Sequence, residues 1–544
     1  METFFKKETT EARENAARWF LHRYSTQPVF RFSFLFAVCA AAALFFDYAV
    51  QCMVFAHPAY DQSWFLYAAS RILGGATLYG PRLTEVNPPL IIWFSVIPNL
   101  LASAIHISPT LALKIVVSAL IFASAGWCTR TMRAGGLIAS PWLLCLCFIA
   151  IAAAEVTLDS SIVAQREQLI AILVLPYLVY AVCRAKVHFG VAERMALGVA
   201  AGIGVCFKPQ QVLIVICFEL FWLAWSFDLH LLLRAELIAF AMAIVAYSLT
   251  VYFATPYITH MVPLLKETFW AYGEDSTRAL LRGFLSRDRL IVAMLAWVAV
   301  RRYLRYPVAP LALLAASFGA ALAFFVQHTN WSNHFFPSRV FLFCAVGWMA
   351  IDLLSALSSV KLPVGTVAGI TFFLVAAFLP AFLAQGMRAN SEPWGGVYVA
   401  NALAQYPPGT TVYVFTTGLA EFDDVYKDHL IWGSRYAHLW MIPAIAQSEA
   451  GLAGGPVPRK LLTPDQVHQL AATQRSDTAE DLALYKPSVV IVEHCIPPVQ
   501  CQALVDINFD MLGWFLRSPA FAAEWSHYHL KSGDGRYQIY TRDR

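Results

Sequence analysis

Apolar runs recur along the first 385 residues, at roughly 32–55, 89–105, 110–128, 137–154, 169–183, 195–207, 211–227, 235–254, 289–300, 307–326, 338–357 and 362–384. A helix of ~20 apolar residues crosses a bilayer, so the pattern predicts an α-helical polytopic membrane bundle of about 11–13 spans. Between the first two runs the pattern changes. From Gln62 to Leu73, Phe65, Ala68, Ala69 and Ile72 share one helical face, while Gln62, Ser63, Ser70 and Arg71 share the other. That spacing predicts a helix lying in the membrane interface, stopped at Gly74-Gly75. Residues 386–544 carry no spanning run and read as a soluble α/β domain. Thr411 to Thr416 (TVYVFT) and Ser488 to Glu493 (SVVIVE) have the pattern of buried strands. Thr463-Pro464-Asp465 starts a helix, and two strand-like runs flank Ser532-Gly533-Asp534-Gly535 as a hairpin.

Short-loop cations orient the bundle. Arg130 and Arg133, then Arg184, Lys186 and Arg194, then Arg301, Arg302 and Arg305, and finally Lys361 fall on one side if the run 89–105 returns to the outer face as a hairpin or interfacial piece. A true crossing at 89–105 is the alternative, and it would put Arg130 and Arg133 on the wrong side. The favoured reading places the amino terminus inside, the 386–544 domain outside (periplasmic), and the chain in a cytoplasmic membrane. Residues 1–31 then form a cytoplasmic amphipathic segment, with Lys6, Arg13 and Arg18 beside Trp19 and Phe20 resting on anionic lipid. The first run is too long and too late for a cleaved signal peptide. The membrane region is 32–385, with outer loops at 56–88, 155–168, 256–288 and 327–337.

Composition agrees with a bundle: 59% of residues are hydrophobic, 14% are charged and mean hydropathy is +0.57. A net charge of +4 spread over 544 residues argues against nucleic acid as a partner. Most of the eleven cysteines lie in apolar runs as small hydrophobes. Cys495 and Cys501 instead flank Pro497-Pro498 in the outer domain, where an oxidising compartment would join them in a disulfide. There is no phosphate-binding glycine loop and no nucleotide fingerprint.

The unusual polar residues fall on the outer side. Asp61 follows the first run in Ala59-Tyr60-Asp61-Gln62, and Asn87-Pro88-Pro89-Leu90 follows one helix later. A carboxylate there can serve as a base at headgroup level, or simply cap its helix. The second loop carries Glu155, Asp159, Arg166 and Glu167; Lys208-Pro209 breaks two apolar runs; and QHTNWSNHFFP holds His328 and His334. The long loop 256–288 holds many charges, most of them expected to be solvated. Lys114 lies inside a run, either as a snorkelling residue or as part of a site. The two histidines are six apart, which suits neither a helical metal pair nor a compact zinc motif.

These residues resemble the GT-C class of integral-membrane glycosyltransferases, in particular the relatives of the protein O-mannosyltransferases and of the aminoarabinose transferase that modifies lipid A. Asp61 and Asn87-Pro88-Pro89-Leu90 match the first outer loop of that class, Arg166-Glu167 its second loop, Lys208-Pro209 its Lys-Pro turn, and His334-Phe335-Phe336-Pro337 its late His-x-x-Pro element. The resemblance implies a polyprenyl-phosphate sugar as donor and a glycan, glycolipid or protein as acceptor. It implies an inverting transfer with Asp61 as general base; the sequence leaves Glu155, Asp159 and Glu167 open as alternative acids. Lys208, Arg166, Lys114, His334, His328 and Asn87 are the candidates for holding the donor phosphate or substrate. Two departures matter. Relatives often have Lys where this chain has Asn87, and the first loop has one acid rather than a pair, which leaves open whether a divalent cation takes part. The rival readings are an outer-face polysaccharide polymerase or ligase, and a transporter of lipid-linked saccharides.

Overall fold

A computed structural model describes residues 60–138, 141–157, 163–273, 276–359, 396–451, 461–496, 501–504 and 507–543, with single positions at 47, 53 and 499. The expected amphipathic segment 1–31, most of the first run, the last run at 362–384 and Asp159 lie outside the described residues.

Helix α1 (Tyr60–Leu73) carries Asp61 in its first turn, where a carboxylate suits the helix dipole. It ends at Gly74-Gly75, and Gly75 takes the left-handed backbone (φ 90°) that closes such ends cheaply only in glycine. Helix α2 (Leu90–Ile105) starts directly after Pro88-Pro89 and has 16 residues, about 24 Å at 1.5 Å per residue, short of a ~30 Å hydrocarbon core. His106 ends it in the left-handed conformation, and Ser108 caps α3 (Pro109–Ala134) by accepting from the Leu111 amide at 3.2 Å. The chain continues through α4 (Pro141–Thr157), α5 (Arg166–Cys183), α6 (Val191–Cys206), α7 (Leu213–Ser226) and α8 (Ala235–Ala254). Then come the short α9 (Val262–Thr268), α10 (Thr277–Arg287) and α11 (Leu290–Val300), followed by α12 (Val308–Gln327) and α13 (Phe336–Ser359). Among the described residues, six helical segments are long and apolar enough to cross a membrane. Several of the other apolar runs form shorter helices, such as α2 and α11.

Burial distinguishes the roles of these helices. Nearly every side chain of α5 is buried, the mark of a helix at the centre of a bundle. Helix α8 exposes Met242, Val245, Leu249 and Phe253, as a helix facing lipid tails does. It packs on α6 across Gly202, where a β-carbon would sit 2.8 Å from Phe240 O, so a small residue is what allows the close approach.

The carboxy-terminal part contains helix α14 (Val397–Leu403), strand β1 (Thr411–Phe415), α15 (Phe422–Lys427), β2 (Ile431–Trp432), α16 (Ile442–Glu449), α17 (Pro464–Tyr485), β3 (Val489–Glu493), α18 (Met511–Leu516), α19 (Pro519–Trp525), β4 (Tyr528–Gly533) and β5 (Tyr537–Arg542). The sheet order is β2-β1-β3-β5-β4; β1 runs parallel to both neighbours, and β5 is antiparallel to β3 and β4. A reciprocal Thr463–Gln466 capping box starts α17, and Cys495 and Cys501 form a disulfide just beyond β3.

This part sits directly on α1. Phe422 packs edge-on against Trp64 and Tyr67 at 5.2 and 5.5 Å, Ser63 Oγ donates to Asp423, and Arg71 donates to Tyr485 OH at 2.9 Å. Farther along, the Thr84 amide donates to Arg435 O at 2.8 Å, while the Arg435 side chain is held by Asp477, Glu480 and Asp481. These contacts correct the two-faced reading of α1. Ser63, expected on a water-facing side, is buried where Asp423 covers it, and Gln62, grouped with it in the sequence pattern, is buried as well. The long loop 256–288 also reaches this part: Tyr272 is buried and its hydroxyl donates to Thr417 O at 2.6 Å. Its Lys266, Glu267, Arg278 and Arg282 remain exposed.

Candidate functional site: a carboxylate and two buried cations beneath the carboxy-terminal domain

Four separate segments meet at Asp61. The first is α1, which supplies Asp61. The second is Gln165-Arg166-Glu167, where an extended Gln165 precedes α5 and Glu167 lies in the helix's first turn. The third is Lys208, held extended (φ −152°, ψ 92°) by the proline that follows it and leading into the 3₁₀ turn Pro209–Val212. The fourth is His334, in the 3₁₀ turn Ser332–Phe335 before α13.

Gln165 Nε2 donates to Asp61 Oδ2 at 3.1 Å. Burial pushes the Asp61 carboxyl above the usual aspartate range, and the Arg166 charge and the Gln165 hydrogen bond oppose that shift. Lys208 Nζ donates to Glu167 Oε1 at 2.6 Å, with Glu167 wholly buried. Burial brings the Lys208 ammonium down to about 8, against the pull of the Glu167 charge. The same Glu167 oxygen lies 3.7 Å from His334 Nε2, and Thr329 Oγ1 holds the other ring nitrogen at 2.8 Å. Arg166 donates to Asn87 Oδ1 and lies over the Phe65 ring at 5.9 Å. Asn87 in turn gives its backbone and side-chain N–H groups to Glu85, each at 2.7 Å, and Trp64 donates to the same carboxylate. Burial raises the Glu85 carboxyl, opposed by the Asn87 bonds.

The structure therefore gathers Asp61, Asn87, Arg166, Glu167, Lys208 and His334. It places the other candidates elsewhere. Glu155, expected in an outer loop, lies in the last turns of α4 and accepts from Ser124 Oγ at 2.7 Å, fully buried within the bundle. Lys114 is half-buried in the second turn of α3. His328 is exposed and serves as the left-handed cap of α12. Two participants carry no sequence signal of their own: Glu85 and Gln165. Gln165 adjoins Arg166-Glu167 and Glu85 lies two before Asn87, so adjacency to a motif was the available hint.

Chemically, the cluster pairs one carboxylate that keeps partial solvent access with two buried cations, a polarity suited to proton abstraction beside a developing anion. Elsewhere, Glu493, Cys495 and Cys501 lie close enough together to share an ion, but the two cysteines are bonded to each other.

No family model and no curated protein sequence matches the chain. Its structure is similar to that of ArnT from Cupriavidus metallidurans in the apo state, with TM-score 0.52, 11% identity, and 94% of this chain and 98% of that one covered. A second ArnT structure from that organism, bound to undecaprenyl phosphate, matches at TM-score 0.49 with 12% identity over 93% and 98% of the chains. The arabinofuranosyltransferase AftD from Mycobacteria matches at TM-score 0.46 with 14% identity over 96% of this chain and 40% of its own. The likeness to apo ArnT shows the fold: a GT-C membrane bundle carrying a carboxy-terminal domain.

Proposed function

We propose, on the premise of that GT-C fold, that this chain is a glycosyltransferase moving a sugar from a polyprenyl-phosphate donor to a hydroxyl-bearing acceptor at the outer face of the cytoplasmic membrane. The observation that carries the reading is the convergence of Asp61, Arg166, Glu167, Lys208 and His334 from four distant segments, beneath the carboxy-terminal domain. An apolar bundle with buried cations at one end suits a ligand whose tail is lipid and whose head is an anion.

In this reading Asp61 accepts the proton of the acceptor hydroxyl while that oxygen bonds to the anomeric carbon. The bond from the anomeric carbon to the phosphate oxygen breaks, and its electron pair stays on the phosphate. A single displacement inverts the anomeric configuration. The leaving phosphate gains negative charge, which Lys208 and Arg166 offset where water is excluded. Lys208 gives one N–H to Glu167, and its other two remain for phosphate. Glu167 therefore keeps Lys208 charged, and Asn87 aims Arg166. Glu167, offered from sequence as an alternative base, is tied instead to two basic side chains.

The test is to incubate the purified chain with a panel of polyprenyl-phosphate sugars and an acceptor mixture, and to follow release of polyprenyl phosphate. Consumption of one donor with an inverted product supports the reading. If every donor stays intact while a diphosphate-linked oligosaccharide is consumed, the polymerase or ligase reading replaces it.

A further inference from the structure

Six side chains, four in the cluster and two on the segments that supply Asp61 and Lys208, carry buried polar atoms with no hydrogen-bond partner among the described residues. They are both amide atoms of Gln62 and of Gln211, Oε1 of Gln165, Nε of Arg166, Oε2 of Glu167 and Nε2 of His334. All six residues are at least nine-tenths buried, and Gln62, Gln165 and Gln211 are 2%, 4% and 0% exposed. Folded chains seldom bury an amide without satisfying it, so such a group needs a cause.

Placement supplies one. Gln62 is adjacent to Asp61 and lies three residues before Phe65, the ring that meets Arg166; in a helix such neighbours share a face, so Gln62 sits with Phe65 and not on the opposite side where the sequence pattern grouped it. Gln211 lies three residues after Lys208, in the 3₁₀ turn that follows it, and its backbone N–H donates to Lys208 O at 2.9 Å. Gln165 already gives its Nε2 to Asp61. The three amides thus border the reaction cluster from three segments.

The type of unmet need identifies the ligand. A phosphate offers only acceptors at neutral pH and could satisfy Arg166 Nε or an amide N–H. It cannot satisfy the amide oxygens of Gln62, Gln165 and Gln211 or the free oxygen of Glu167, which call for donors. A saccharide hydroxyl is both donor and acceptor. Resting on the reading under Proposed function, we infer that Gln62, Gln165 and Gln211 form the sugar subsite of this chain, hydrogen-bonding ring hydroxyls of the transferred unit while Lys208 and Arg166 hold the phosphate.

The experiment uses the full chain in detergent. Gln62→Met and Gln211→Met keep side-chain length and remove the amide. Turnover is measured with the polyprenyl-phosphate sugar that the wild type consumes, and binding with undecaprenyl phosphate, which lacks the sugar. The expected result is a fall of about tenfold in kcat/KM for each variant. Melting temperature should hold or rise because an unpaired buried amide is gone. Affinity for undecaprenyl phosphate should stay within about twofold. A double variant that turns over within about twofold of wild type overturns the inference. So does a loss of melting temperature together with undecaprenyl-phosphate binding, since the amides would then be holding the fold. Failure of the wild-type chain to consume any polyprenyl-phosphate sugar overturns the functional reading itself, and this inference with it.

Discussion

Replacing Glu167 by Gln asks whether this carboxylate exists to keep Lys208 charged. The pair is buried, with 2.6 Å between Lys208 Nζ and Glu167 Oε1, and burial already brings the ammonium down to about 8. Removing one partner of a buried ion pair costs about 3–5 kcal/mol if the other stays charged. A lysine avoids most of that cost by releasing its proton, so in the variant Lys208 should be largely neutral at pH 7. A charge-assisted hydrogen bond to phosphate is worth ~1.5–3 kcal/mol, so kcat/KM should fall roughly 10- to 150-fold at neutral pH. The assay is the pH profile of kcat/KM. The sign is clear: Lys208 is a cation below its pKa, so the wild-type alkaline limb should fall as pH rises through about 8. In Glu167→Gln that limb should move to lower pH, whereas Glu167→Asp, which keeps the charge, should move it less. An unmoved limb with kcat/KM within about threefold of wild type would refute the argument.

Three further outcomes follow from the same structure. Lys208→Ala should cost about one to two orders of magnitude in kcat/KM, with Arg recovering only part because its planar fork differs from a compact ammonium; normal turnover by the Ala variant would leave Lys208 a helix-end residue. A cysteine at Ser476, exposed on α17, should react with a membrane-impermeant thiol reagent in intact cells, and one at Arg302 should not; the reverse pattern would invert the topology. Burial, aided by the neighbouring Asp423 charge, lifts the Asp424 carboxyl to about 7, so folding favours its protonated form and loses that advantage as pH rises from the unfolded value toward 7. Asp424→Asn should therefore raise the melting temperature at neutral pH more than at pH 5, and an equal shift at both would contradict this.

Several parts of this architecture were legible because they depend on local pattern. The run 235–254 coincides with α8 and the Thr463-Pro464 start with α17, since hydrophobic period and capping chemistry act within a few residues. The candidates Asp61, Arg166-Glu167, Lys208-Pro209 and His334 stood out as polar groups interrupting apolar sequence. Their pairing did not. Lys208 and Glu167 are 41 residues apart on different segments, and only tertiary packing could join them. The part of α1 that carries Ser63 and Arg71 was misread because a period-3.6 pattern cannot tell water from a second domain, and here Asp423 and Tyr485 meet it. Glu155 was misplaced because an apolar run ending in an acid looks like a span meeting its loop, whereas Ser124 lets α4 carry that acid inward. Gln211 gave no signal, and Gln62 only its place beside Asp61, because an isolated glutamine has no spacing to betray it.

The central claim is that Asp61 is the base of a sugar transfer from a polyprenyl phosphate, and Asp61→Asn tests it most directly. The amide is nearly isosteric and can still meet Gln165, but it takes no proton at neutral pH. With the donor the wild type consumes, the variant should keep its melting temperature and donor affinity while lipid-phosphate release slows by ~10²–10⁴-fold. Release within a few-fold of wild type from a well-folded Asp61→Asn variant would contradict the account and move the base elsewhere.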